Sequence, residues 1–130
     1  MPLALFILVG LGALALTISR LSSGQFSSAV QETLSVQAFY AAESASQVAV
    51  NRILFNATSK ADADLNCASV NSTSLNYTAT GLNDCSAQLS CTIVNNTGET
   101  ATIYQVETTA TCGGGNLIGE RRLVTAVRYE

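Results

Sequence analysis

The sequence has no histidine and no tryptophan, and its one proline is Pro2. Without histidine, the chain lacks the side chain that most often transfers protons near neutral pH, and one of the usual ligands of zinc. Charge is also scarce: there are 6 basic and 9 acidic side chains, a net charge of −3, and no charge before Arg20. This balance does not indicate a nucleic-acid surface. We therefore predict neither an enzyme nor a nucleic-acid-binding protein.

The remaining polar residues form no constellation that indicates chemistry. Asp62 and Asp64 are a spaced acidic pair in a predicted loop, but a calcium ion requires about six to eight oxygen ligands. Arg121 and Arg122 stand at the start of a predicted strand, where paired arginines are typical of a solvated sheet edge. We assign no catalytic, cofactor-binding or metal-binding residue.

The first nineteen residues, "MPLALFILVGLGALALTIS", are uncharged and almost wholly apolar. A membrane-spanning helix needs roughly 20 such residues. Pro2 suits the first turn of a helix, and Gly10 and Gly12 are of a kind common in membrane helices. No basic segment precedes the run, as it would in a signal peptide, and a buried core helix is disfavoured in so small a domain. We predict a transmembrane or filament-core helix over residues 1–24.

The helical pattern continues after Gly24, and residues 25–56 contain no glycine and no proline. Apolar residues recur there at steps of three and four, which is typical of an amphipathic helix. The sequence therefore predicts one long helix over residues 3–56. The residues expected to pack it against the rest of the chain are Val30, Leu34, Ala41, Val48 and Phe55.

Residues 57–130 show the alternation of β-strands. The predicted strands are "CSAQLSCTIV" (85–94), "ETATIYQVETTATC" (99–112), "RRLVTAVRY" (121–129) and a short "LNYTAT" (75–80). "NNTG" at 95–98 has the composition of a hairpin turn. The fold class predicted is α+β, with the amphipathic half of the helix packed on a small antiparallel sheet.

All four cysteines lie in this β part: Cys67, Cys85, Cys91 and Cys112. Their spacing fits no zinc motif, so we predict two disulfides formed in an oxidising compartment. Three connectivities are possible. A hairpin that turns at 95–98 places Cys112 nearer to Cys85 than to Cys91, which favours Cys85–Cys112 with Cys67–Cys91.

This organisation resembles that of mature type IV pilins. The run "AFYAAESA" at 38–45 is similar to the A-x-x-A-A-E-[SA]-[GA] segment in the helix of the minor-pilin group that contains PilX and MshP, a biogenesis protein of the mannose-sensitive haemagglutinin (MSHA) pilus. "TCG" at 111–113 and "ERRLVTAVRY" at 120–129 also resemble the end of the MshP type. The likeness covers the whole chain in organisation, and is motif-like only over about residues 38–45 and 109–129.

The resemblance implies a processed and assembled subunit. A prepilin peptidase would remove a basic leader, leaving Met1 as the first mature residue, which is then N-methylated. The subunit would wait in the bacterial inner membrane facing the periplasm, and then join other pilin subunits, through the assembly machinery, in an extracellular pilus. Leu5, Gly10, Gly12 and Ala13 are the residues expected to contribute to filament assembly.

Leu5 departs from the pilin pattern, because most pilins have a glutamate there that answers the charged N-terminus of a neighbouring subunit. An unpaired buried ammonium is costly. The departure therefore implies a minor subunit, at or near the filament tip or active in assembly initiation. The alternatives are a major subunit of a divergent filament, and a single-pass membrane-anchored receptor or adhesin domain that does not polymerise. An enzyme anchored by its N-terminus is disfavoured by the lack of histidine.

Overall fold

The computed structural model describes residues 2–55, 57–94 and 101–130, and for residues 21–26 it describes the helical backbone alone. Its elements are α1 (Pro2–Leu54), α2 (Lys60–Val70), β1 (Thr73–Tyr77), β2 (Cys85–Val94), β3 (Thr102–Gly114) and β4 (Leu117–Tyr129). The strands form one antiparallel sheet in the order β1-β2-β3-β4. The predicted α+β architecture is confirmed.

Helix α1 is continuous from Pro2 to Leu54, as the lack of proline after residue 2 predicts. Its C-terminal half buries a stripe of mostly small residues against the sheet. The stripe consists of Ala38, Ala41, Ala42, Ala45, Ala49 and Ile53, all of them fully buried. Because alanine is short, the helix backbone lies close to the strands.

The predicted packing stripe is wrong at Phe55. This side chain is 76% exposed and follows the last helical residue. Ala41 is fully buried, and the other three predicted residues, Val30, Leu34 and Val48, are half-buried. A strict seven-residue repeat drifts by about 20° per heptad around a straight helix. Near its C-terminal end, α1 therefore packs on the sheet through Ile53 rather than through Phe55.

Helix α2 was not predicted, since residues 57–130 were interpreted as β structure. Its N-terminus is a capping box, in which the Asp62 backbone N–H donates to the Ser59 hydroxyl and the Ser59 backbone N–H donates to the Asp62 carboxylate. Ala63, Cys67 and Val70 are the buried residues of this helix. The predicted loop around Asp62 and Asp64 is thus the first part of a helix.

The two disulfides confirm the connectivity that the hairpin argument favoured. Cys85 and Cys112 stand directly opposite each other on β2 and β3, with 4.0 Å between their Cα atoms. Cys67 joins α2 to Cys91 on β2, with 5.4 Å between the Cα atoms. The predicted turn at 95–98 lies outside the described residues. Together the bonds fasten α2, β2 and β3 to one another.

Among the residues that the structure describes, Thr108 has a buried side-chain hydroxyl without a hydrogen-bond partner. It lies on β3 with no exposed surface. We expect Thr108→Val to raise the free energy of unfolding by about 1 kcal/mol, because a buried, unpaired hydroxyl is replaced by a methyl group. Urea unfolding of the two chains measures the difference. Thr109→Val, on the opposite face of β3, is the control, and a destabilised Thr108→Val would contradict the prediction.

Candidate functional site

The N-terminal part of α1, residues 2–20, stands apart from the folded part of the chain, and we call it the apolar arm. Every residue of the arm is exposed. Pro2–Arg20 has a mean hydropathy of 2.2 and no residue buried within the molecule. Nineteen helical residues extend about 28 Å, close to the roughly 30 Å of bilayer hydrocarbon. By length and composition the arm can cross a membrane, although a signal sequence shares these properties.

The residues predicted for filament assembly all lie on the arm, and they are not part of the folded part of the chain. Leu5 is 65% exposed, and Ala13 is exposed as well. A Cβ atom added at Gly10 or Gly12 would meet no atom within 4 Å. Met1, the predicted processing and methylation residue, lies outside the described residues. The arm therefore presents small residues that pack against no other part of the chain that the structure describes.

A polar side chain on the arm is satisfied by the helix itself. The Thr17 hydroxyl donates a hydrogen bond to the carbonyl oxygen of Leu14, at 2.8 Å. In hydrocarbon, where water cannot act as a partner, such an internal bond removes much of the penalty of a hydroxyl group. Thr17 is thus compatible with an apolar environment along this part of the arm.

Beyond residue 26, the sheet holds α1 by contacts that include side-chain hydrogen bonds. The Tyr77 hydroxyl donates to the carbonyl oxygen of Ala41 at 2.8 Å, and the Ser46 and Thr125 hydroxyls are 2.8 Å apart. The backbone of Leu34 lies so near Gly119 of β4 that no side chain would fit between them. The helix is thus fixed to the sheet by its C-terminal half, whereas the apolar arm is exposed.

The acidic pair considered in the sequence has structural partners. The Asp64 carboxylate accepts hydrogen bonds from Lys60 at 2.7 Å and from the buried Tyr104 hydroxyl at 2.6 Å. Among the described residues, no group of three or more His, Cys, Asp or Glu side chains could hold a metal ion. Asp62 caps α2, and Asp64 fastens the same helix to β3.

These contacts change the ionisation of both carboxylates. The hydrogen bond from Lys60, followed by that from Tyr104, lowers the pKa of Asp64 below its ordinary value of 3.8. Hydrogen bonds from Thr58 and Ser59 lower the pKa of Asp62. Burial, and then the hydrogen bond to Asp64, raise the pKa of the Tyr104 hydroxyl, which therefore remains a donor.

The lowered pKa of Asp64 predicts a loss of stability in acid. A carboxyl whose pKa is lower in the folded state stabilises the fold above its ordinary value of 3.8, and this contribution disappears as the pH falls through the folded pKa. At pH values below about 4, we expect the melting temperature to decrease. In Asp64→Asn the fall should be shallower, because one linked group is gone. Thermal unfolding at several pH values tests this, and identical pH profiles would contradict it.

A second exposed surface, to which the sequence pattern assigned no role, lies on α1 within the folded part. Phe39 is 45% and Tyr40 58% exposed, and their rings meet edge to face with centroids 5.9 Å apart. Val36 is exposed one turn earlier. Their position in the sequence could have indicated this exposure. Phe39 and Tyr40 lie between the alanines of "AFYAAESA", and therefore on a different side of the helix from those buried residues. Arg121 of β4 borders the same surface.

Comparison with protein-family models, curated proteins and solved structures gives no significant match for this chain. The likeness to pilins therefore depends on the residues quoted above and on the architecture.

Proposed function

We propose that this protein is a structural minor subunit of a type IV pilus or a related filament, located at or near the tip or acting in assembly initiation. The observation that carries the proposal is the apolar arm, a fully exposed helical segment that continues without a break into a disulfide-bonded α+β part. A surface of this kind is stable only where water is excluded. Lipid provides such an environment before assembly, and a bundle of similar helices provides it in a filament.

Small residues on the arm favour assembly with other helices over simple anchoring. Helix association within a membrane depends on close packing, and glycine and alanine allow the backbones to approach. Gly10, Gly12 and Ala13 are such residues, and the first two have open space around them in the isolated subunit. Glycine is common in membrane helices in general, and here it leaves room for a neighbouring helix.

The disulfides support a location on the oxidising side of the bacterial inner membrane. Bonds of this kind persist in the periplasm and outside the cell, and are rare in the cytosol. All four cysteines are paired, and all lie in the part of the chain that would face the periplasm. We place the subunit first in the inner membrane, as a substrate of a prepilin peptidase with Met1 methylated, and then in the extracellular pilus.

Leu5 is the reason for proposing a minor subunit. Nothing between Pro2 and Ser19 is charged, so the arm offers no carboxylate to a neighbouring N-terminal ammonium. Burying that ammonium without a partner costs several kcal/mol. If every subunit of a filament were this protein, that cost would arise once for each subunit. If the protein is found only at the filament end, the cost arises once or a few times for each filament.

Immunogold labelling of sheared filaments tests the proposal and separates it from the alternatives. We expect sparse label concentrated at filament ends. Uniform label along the shaft would indicate a major subunit of a divergent filament, and would show that the argument from Leu5 is wrong. Label confined to the membrane, with none on filaments, would indicate an anchored receptor or adhesin domain. Mass spectrometry of the N-terminal peptide checks processing and methylation.

A further inference from the structure

Strand β4 forms one edge of the sheet and pairs with β3 alone among the described strands. It runs over 13 residues, Leu117–Tyr129, without a proline. A two-residue loop joins it to β3, since Gly114 pairs with Leu117. In such a hairpin the two residues that flank the loop, Gly114 and Leu117, form backbone hydrogen bonds with each other. Because backbone N–H groups alternate in direction along a strand, the N–H groups of the odd-numbered β4 residues then point toward β3. Those of Glu120, Arg122 and Val124 therefore face the open edge.

Helix α1 extends past this edge and leaves a groove beside it. Along the helix the groove is lined by Val36, Phe39 and Tyr40 beside Arg121. Further on, the helix residues that line it are mostly polar: Glu43, Ser46, Gln47 and Asn51, with Val50 among them. Along the strand it is lined by Arg121, Leu123 and Thr125. These β4 residues point to the helix side of the sheet. The groove is thus apolar in the part beside Arg121 and more polar beyond it, at the place where one more strand of the sheet would lie.

The edge is also the most basic part of an acidic chain. Three of its 6 basic residues lie on β4, although the net charge is −3. Arg122 forms an ion pair with Glu107, and Arg128 with Glu130. Arg121 lines the groove with its side chain exposed. An occupant that meets Arg121 with a carboxylate would be favoured there, whereas Glu43 of α1 lines the next part of the groove. A second β4 strand that set its arginines opposite these would be disfavoured.

We infer that the open edge of β4 accepts an extended segment of a different protein as a fifth strand. The segment alternates, with apolar side chains on the α1 side filling the groove beside Phe39 and Tyr40. One carboxylate on that side meets Arg121. Main-chain hydrogen bonds to the outward-facing groups of β4 provide affinity, and the groove provides selectivity. This binding site lies wholly within the folded part, so the inference does not depend on filament assembly.

The test uses the full chain in detergent micelles and a synthetic peptide of about nine residues, a strand of ordinary length. The peptide alternates valine with threonine and carries one glutamate among the valines. Matched controls are a peptide of the same composition without the alternation, and one with glutamine for glutamate. Micelles without protein give the background of peptide partition.

Hydrogen exchange at residue resolution gives the first readout. The alternating peptide should slow exchange at the amides of Glu120, Arg122 and Val124. The amides of Leu123 and Thr125, which already bond to β3, should change little. Equal protection of both sets, no protection, or the same effect from the scrambled peptide would overturn the inference.

Two variants give the second readout. Val124→Pro removes one outward N–H and should weaken binding by about tenfold, the size of effect that losing one or two main-chain hydrogen bonds produces. Val124→Thr keeps that N–H and should bind nearly as the parent does. Arg121→Gln should abolish the preference for the glutamate peptide over the glutamine peptide, and it keeps the test decisive if Val124→Pro unfolds. A retained preference in Arg121→Gln, or equal binding by a folded Val124→Pro, would overturn the inference.

Discussion

Gly119→Ala should lower the free energy of unfolding by about 3 kcal/mol, the upper range for overpacking a well-packed core. A Cβ atom at residue 119 would lie 2.5 Å from the carbonyl carbon of Leu34 and 2.6 Å from the backbone nitrogen of Ser35. Both are backbone atoms of α1, so rotation of a side chain cannot relieve the contact. The helix has to move away from β4, and its other contacts with the sheet weaken together. Urea unfolding followed by tyrosine circular dichroism measures the loss.

Gly114→Ala, in the same β3–β4 hairpin, is the matched control for this prediction. A Cβ atom added there meets no atom within 4 Å, so the change in stability should stay within about 0.5 kcal/mol. If both variants lost the same stability, the cause would be the backbone freedom of glycine rather than the approach of α1.

Gly12→Asp should abolish entry into the filament and leave the folded part intact. Residue 12 lies near the middle of the apolar arm, where a charged side chain disfavours insertion by about 2.5–3.5 kcal/mol. No atom of the folded part lies near it, so unfolding of residues 27–130 should be unchanged. The measurements are the amount of subunit in sheared filaments and in the membrane fraction, together with thermal unfolding.

Gly12→Ala separates charge from size at the same position. It adds one methyl group in open space and improves helix propensity, so filament entry should be largely retained. Normal incorporation of Gly12→Asp would show that the arm is not enclosed in an apolar environment. Failure of Gly12→Ala as well would show instead that helix backbones touch at this position.

Much of the fold follows from short-range patterns in the sequence. β2 has the predicted bounds, 85–94, because apolar residues alternate there with polar ones, with Ala87, Leu89 and Cys91 buried. The pairing of Cys85 with Cys112 was favoured by hairpin geometry, since a turn near 95–98 brings Cys112 nearer to Cys85 than to Cys91, and in the structure Cys85 and Cys112 are opposite each other. The long helix followed from an absence, that of proline after residue 2.

The errors have identifiable physical causes. α2 is short, and its few apolar residues give no strong periodicity, although the capping signal from Ser59 to Asp62 was present. Phe55 was included by extending a seven-residue repeat past the end of α1. The open edge of β4 could not be predicted from the sequence, because strand order and the position of a helix over a sheet arise from contacts between distant residues. The exposed side of Val36 and Phe39 depends on the same contacts.

The placement of the disulfides has a mechanical consequence. Both bonds lie among α2, β2 and β3, and α1 contains no cysteine. Force applied through the apolar arm would enter the folded part along α1, where alanine packing, the Ala41–Tyr77 and Ser46–Thr125 hydrogen bonds and the Leu34–Gly119 approach oppose it. The rate of detachment under load is then a rate of unfolding. Tension would separate α1 from the sheet while the disulfides still hold α2, β2 and β3 together. Disulfide formation would therefore stabilise those elements against force and leave the contacts between α1 and the sheet unchanged.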